Sequence, residues 1–213
     1  MSINPLLSQD GLPLFSRIRA EHIEPAVDAV LAENRSALAR IVALDNPTWD
    51  DFVEPLETLD QRLHHTWSPA AYLNAVMNSP DIRQAYNACL PKLSDYATEL
   101  DQNERLQHGY AELQSGPEWQ TYNAAQRKLI EDALRDFKLT GVNLPADKKN
   151  RFRKIMQDLS QLEAKFEENL LDATQGWFKQ VTEESSLGGI PQTALTRAHH
   201  EAQSRGQIGR AHV

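Results

Sequence analysis

Seven histidines and one cysteine are the side chains of this 213-residue sequence best suited to metal or nucleophilic chemistry, and their spacing decides which chemistry is open to them. A zinc site on a helix needs two ligands at i and i+4 on one face, completed by a further carboxylate or histidine. His199-His200-Glu201 comes nearest, but from His200 the motif reads H-E-x-x-S, with Ser204 where the second ligand must stand. From His199 the i+4 position is Gln203, and from His64 and His65 it is Ser68 and Pro69. The lone Cys89 excludes an internal disulfide and any C-x-x-C pair, fits a reducing compartment, and reads as a small core residue. No glycine-rich phosphate loop, S-x-x-K pair or G-x-S-x-G elbow occurs. These residues assign no catalytic, cofactor-binding or metal-ligating position, and no metal is expected on them.

Two charged groups remain. Asp50, Asp51, Glu54 and Glu57 form an acidic run that either holds a cation or complements the positive end of a helix dipole on a solvated face. Lys148, Lys149, Arg151, Arg153 and Lys154 open a helix at the end where positive charge is disfavoured. That group is either a solvated face or a surface for an acidic ligand or another domain. The net charge of -8 argues against nucleic acid as a partner. Strictly apolar runs stop at four residues, against the ~20 that cross a bilayer, and the first twenty residues lack the pattern of a secretory signal. A soluble, cytoplasmic chain without membrane contact is expected, long enough to bury ~70% of its unfolded surface as one domain.

The elements that would position any site are helical. Ile23, Val27, Val30, Leu31, Leu38, Ile41 and Val42 recur at spacings of three and four, broken only by Asn34, which predicts a helix from Glu21 with Pro25 in its first turn. It should end near Asp45-Asn46-Pro47. Thr48 with Asp51 resembles a capping box, and Ser68-Pro69 and Ser79-Pro80 each look like an N-cap followed by proline at the first helical position. Pro91 predicts a kink, and Ser115-Gly116-Pro117 a break. A helix from Trp119 to Phe137 should close with Lys138 and Gly141. After Pro145 the longest seam carries Phe152, Ile155, Leu159, Leu162, Phe166, Leu170, Ala173 and Trp177, with Leu171 and Phe178 beside it. Apolar on two flanks, it reads as core packed between neighbours. A glycine-containing turn at 185–191 leads to a last helix around Gln192 to Ser204.

The order of several segments resembles the N-terminal part of the thimet oligopeptidase, or neurolysin-like, family of zinc metallopeptidases. They are Asn4-Pro5-Leu6-Leu7, Leu12-Pro13 with Phe15, Glu21-His22-Ile23, Pro25-Ala26-Val27, Ser68-Pro69 with Leu73-Asn74, Asn78-Ser79-Pro80, Leu90-Pro91, Ala133-Leu134-Arg135-Asp136-Phe137 and Leu171-Asp172-Ala173-Thr174 with Trp177. The resemblance implies an all-α, antiparallel multi-helix N-terminal lobe of a two-lobed enzyme that cuts short peptides in a channel. The partners it implies are short peptide substrates and a C-terminal catalytic lobe. It implies that Zn2+ sits on an H-E-x-x-H helix and a downstream glutamate in that other lobe, polarising the scissile carbonyl while the motif glutamate activates water. Residues 1–187 would be the helical N-terminal domain and 188–213 a truncated continuation. Ile208-Gly209-Arg210-Ala211-His212-Val213 also reads as the translation of a common sequencing-adapter start, so 208–213 is expected to be an assembly artefact on a truncated frame, and the chain itself inactive. The competing expectation is a stand-alone helical binding or adaptor module.

Overall fold

The three-and-four spacing becomes seven α-helices among the residues that the computed structural model describes, namely 4–8, 11–206 and 210–212. They are α1 (Ala20–Ile41), α2 (Glu54–Val76), α3 (Pro80–Asp101), α4 (Glu104–Ser115), α5 (Ala124–Leu139), α6 (Ala146–Gly176) and α7 (Gln192–Ser204). The fold is all-α, with one two-stranded antiparallel ribbon formed by β1 (Lys179–Val181) and β2 (Arg210–His212). Positions 208, 209 and 213 of the expected artefactual tail lie outside the described residues.

Several helix ends follow local rules. Thr48 and Asp51 form a reciprocal capping box at a π-helical turn, Trp49–Val53, that runs into α2. Ser79 Oγ accepts from the Ile82 N–H at 3.3 Å and starts α3 with Pro80 at its first position. Gly141, at φ +84°, sits beyond the end of α5 in the left-handed region that glycine enters at little cost. The expected helix from Trp119 is divided. Trp119 lies in a 3-10 turn, Pro117–Gln120, and Asn123 caps α5 by exchanging hydrogen bonds with Gln126.

Other expectations are corrected. Ser68-Pro69 opens no helix, because α2 runs through it. Pro69 is buried beside Ala70 and Leu73, and burial of that apolar face outweighs the hydrogen bond lost to the missing N–H. Pro25 lies inside α1 rather than in its first turn. α1 ends at Ile41, short of Pro47, and Asn46 takes a left-handed φ of 62° in the connection. Pro91, in contrast, stands inside α3 as the helical pattern around it predicts.

Two compact units divide the chain, 1–161 and 162–213, so α6 contributes to both. In the first, one apolar cluster joins Ile23, Val27 and Leu31 of α1 to Ala70 and Leu73 of α2 and Cys89 and Tyr96 of α3. A second joins Leu38 and Ile41 to Phe52, Tyr110, Ile130 and Phe137. Asn34, on the apolar side of α1, is fully buried and donates through Nδ2 to the Leu59 carbonyl at 3.1 Å. That satisfies the amide N–H, whose desolvation would otherwise cost ~1–3 kcal/mol, while the buried Asn34 Oδ1 accepts no hydrogen bond among the described residues. In the second unit β1 and β2 pair in the register Lys179 to His212 and Val181 to Arg210, and Arg205 lies 4.8 Å over the Phe178 ring.

The seam of α6 departs most from expectation. It reads as core, yet Ile155, Leu159, Leu162, Phe166, Leu170 and Trp177 are all exposed, and no residue of α6 is fully buried. Half-covered positions are instead Lys149, Phe152, Met156, Gln157, Ser160, Ala164, Glu168 and Leu171. Where α6 meets α3, Gln157 donates to the Asp95 carboxylate at 2.7 Å. Of the two apolar rows of this helix, the one holding Phe152, Met156, Ala164 and Leu171 is half-covered, and the one from Ile155 to Leu170 is exposed.

Candidate functional site

Helical spacing places His64 and Ser68 one turn apart on α2, with Ser68 Oγ 3.1 Å from His64 Nε2. A hydroxyl beside an imidazole is half of a nucleophilic relay, which also needs a group orienting the other ring nitrogen and donors for an oxyanion. Among the described residues no carboxylate bonds His64, so the pair is an exposed i, i+4 contact. In α7, His199 Nε2 lies 3.1 Å from the Gln203 amide, the residue standing where a second metal ligand would be needed. Among the described residues no three His, Cys, Asp or Glu side chains group as a metal cage. The described side chains do not fit a zinc ion.

The acidic run belongs to the start of α2. Asp51 Oδ1 accepts from the Thr48 N–H at 2.7 Å. Burial, and then the charge of Asp60, push the Glu57 carboxyl above its usual range. In the basic group, Lys149 Nζ reaches Glu104 at 2.6 Å and Lys154 Nζ reaches Asp158 at 2.8 Å. The Lys149 contact holds the Glu104 carboxyl below its ordinary value. Lys149 therefore ties α6 to α4, whereas Lys148, Arg151 and Arg153 are exposed.

Two hollows mark the first unit. A cavity of about 200 Å³ has Leu56, Leu100, Tyr110 and Phe137 on its walls, with Asp101 and Asp136 also lining it. Burial and then Asp136 raise the Asp101 carboxyl, and burial and then Glu57 push the Tyr110 phenol up to about 12. A second cleft, of about 430 Å³, is lined by Ile41, Phe52, His108, Gly109 and Glu112 among others. Neither brings together a nucleophile and a base.

Sequence reading missed Lys92, whose Nζ lies 2.8 Å from Glu24 and 2.6 Å from Asp28 and so ties α3 to α1. With partners 64 and 68 residues away, it carries no local signal. Cys89 is fully buried as expected, and burial is the main cause that pushes its thiol up to about 11. No helix among the described residues is long and apolar enough to cross a membrane.

Comparison with known proteins gives these helices a context. Residues 27–149 match the family described as Neurolysin/Thimet oligopeptidase, N-terminal domain. The chain is 42% identical over 206 residues to oligopeptidase A of Haemophilus influenzae, an alignment covering 97% of this chain and 30% of that protein. It is 43% identical over 203 residues to oligopeptidase A of Escherichia coli, covering 95% and 30%. To the probable cytosolic oligopeptidase A of Arabidopsis thaliana it is 32% identical over 206 residues, covering 97% and 29%. It spans about 30% of the length of these curated relatives. With the match extending over more than half of its residues, the chain belongs to the neurolysin/thimet oligopeptidase family, whose N-terminal domain it contains.

Proposed function

We propose that this chain is the N-terminal helical region of an oligopeptidase A-like zinc metalloendopeptidase that hydrolyses short peptides in the cytoplasm. In this reading residues 1–187 form one wall of a substrate channel and 188–213 belong to its continuation. The zinc and the residues that work with it reside in a catalytic lobe that this sequence does not include. The observation carrying the proposal is the match of 27–149 to the family's N-terminal domain, together with alignment of nearly the whole chain to oligopeptidase A.

The test uses the purified 213-residue chain and short fluorogenic peptides, with zinc and with chelator. Alone, the chain gives no chelator-sensitive cleavage; mixed or co-expressed with the remaining segment of the Escherichia coli relative, it supports chelator-sensitive cleavage. Chelator-sensitive activity of the chain alone overturns the assignment of chemistry to the other lobe. A second reading, a helical binding module without enzymatic activity, is favoured by the exposed apolar stripe of α6. It requires that the complementing segment leave the chain inactive while the chain unfolds cooperatively on its own.

A further inference from the structure

One residue of α1 holds both ends of the stretch that precedes the helix. Asn4 Nδ2 donates to the His22 carbonyl at 2.8 Å, and the Arg19 backbone N–H donates to His22 Nδ1 at 3.0 Å. The chain from Asn4 to Arg19 is thus a loop closed on the first turn of α1. Asn4 also accepts from the Leu6 N–H at 3.0 Å, so the residue that caps the 3-10 turn Pro5–Leu7 is the one fastened to the helix. Leu6 and Ile18 are buried in the apolar cluster of Ile23 and Ala70.

The bond at Nδ1 depends on protonation. Arg19 is the N-cap of α1 and His22 its third residue, the position from which a glutamate or glutamine reaches back to the N-cap N–H. A backbone N–H only donates, so Nδ1 presents its lone pair and the neutral ring carries its proton on Nε2. Unlike glutamine, an imidazole gains a second proton in mild acid. Nδ1 then becomes a donor facing a donor, the Arg19 N–H loses this acceptor, and a cation stands at the positive end of the helix dipole.

We propose that His22 is a pH-sensitive latch on this loop, closed while the imidazole is neutral and opened by its protonation. The surrounding charges act in both directions. Glu21 Oε1, 3.9 Å from Nε2, favours the cation, but its side chain is 81% exposed and its charge screened. Opposing it are the Arg19 guanidinium, which donates to the Ser16 and Ile18 carbonyls, and Arg17 in the 3-10 turn Phe15–Arg17. From α2, His65 lines a small hollow with Leu6 and Ile18. From α3, Lys92 is already held by Glu24 and Asp28. His65 is therefore the other group that titrates beside the loop in the same interval, and it serves as the control.

The proposal is independent of the peptidase reading. Nuclear magnetic resonance of the 213-residue chain follows the ring nitrogens of His22 and the exchange of individual amides from about pH 8 to about pH 5, where imidazoles titrate. The neutral ring is expected as the Nε2–H tautomer. As it protonates, the protection of the Arg19 and Leu7 amides, corrected for intrinsic exchange, falls at least about threefold, as for a lost helix cap, while Val27 to Leu31 inside α1 keep theirs. His22→Gln accepts from Arg19 at every pH and keeps the loop protected at pH 5; His65→Gln leaves the response unchanged. An Nδ1–H tautomer in the unsubstituted chain overturns the proposal, a readout that needs no variant to fold. So does protection that stays constant while His22 titrates, or a loss shared by Val27 to Leu31. A response that survives His22→Gln or disappears in His65→Gln overturns it equally.

Discussion

A methyl group added at Gly109 of α4 meets the ring of Phe52. A Cβ built there stands 2.6 Å from Phe52 Cε2, far inside the ~3.5–4.0 Å of an ordinary carbon contact. Phe52 is 2% exposed, and its edge packs on Tyr110 with centroids 5.3 Å apart and planes at 79°, so the ring has little room to move. Two effects oppose each other in Gly109→Ala. Alanine favours a helix interior over glycine by ~1 kcal/mol, whereas forcing a methyl into a filled core costs ~1–3 kcal/mol. Overpacking wins, with a net loss of about 1 kcal/mol and a fall in Tm of about 2–4 °C for a chain of this size. Urea unfolding followed by circular dichroism checks this in a cycle with Phe52→Leu. In the Phe52→Leu background the obstacle is gone, only the helix preference remains, and Gly109→Ala becomes neutral or stabilising. The coupling between the two sites is then at least about 1 kcal/mol. Should Gly109→Ala stabilise the otherwise unchanged chain by its full helix preference, with no coupling to Phe52, the reasoning fails.

Asp101 gives a pH-dependent outcome. Its raised carboxyl pKa means that the folded state penalises the charged form, chiefly through burial and then through Asp136. The group's contribution to stability is present below the unfolded pKa and lost as pH rises through the higher folded value. Asp101→Asn therefore raises Tm at pH 7, and its advantage shrinks as pH falls toward ~3.5. An advantage of unchanged size in acid would assign the effect to packing instead. For Cys89, fully buried with its thiol pushed up to about 11, alkylation of the native chain near pH 8 is expected to run at least ~100-fold slower than in denaturant. Equal rates would contradict the burial.

The boundaries that sequence reading places well are decided within three or four residues of themselves. Thr48 finds Asp51, Ser79 finds the Ile82 N–H, and Gly141 supplies the positive φ beyond α5. Ser68-Pro69 carries the same local signature as Ser79-Pro80, yet α2 runs through it, because Pro69, Ala70 and Leu73 are drawn together into the core by partners on other helices. Ser68 then turns to His64 one turn back, a contact that its role as a cap would have precluded. A partner at i+4 is likewise a local feature, and Gln203, one turn from His199, has its amide 3.1 Å from His199 Nε2.

Burial of α6 is a different kind of question. Apolar spacing tells which residues share a face, but not whether the covering surface is folded from the same chain. The short stretches that do meet α6 use Lys149 and Gln157, polar side chains that reach Glu104 and Asp95, and leave the apolar strip uncovered. Reading the seam as core therefore groups residues that share a face, and in the described residues most of that face is exposed. For a chain spanning about 30% of the relatives it matches, the spacing of an amphipathic helix identifies the face to be covered and leaves its cover unnamed.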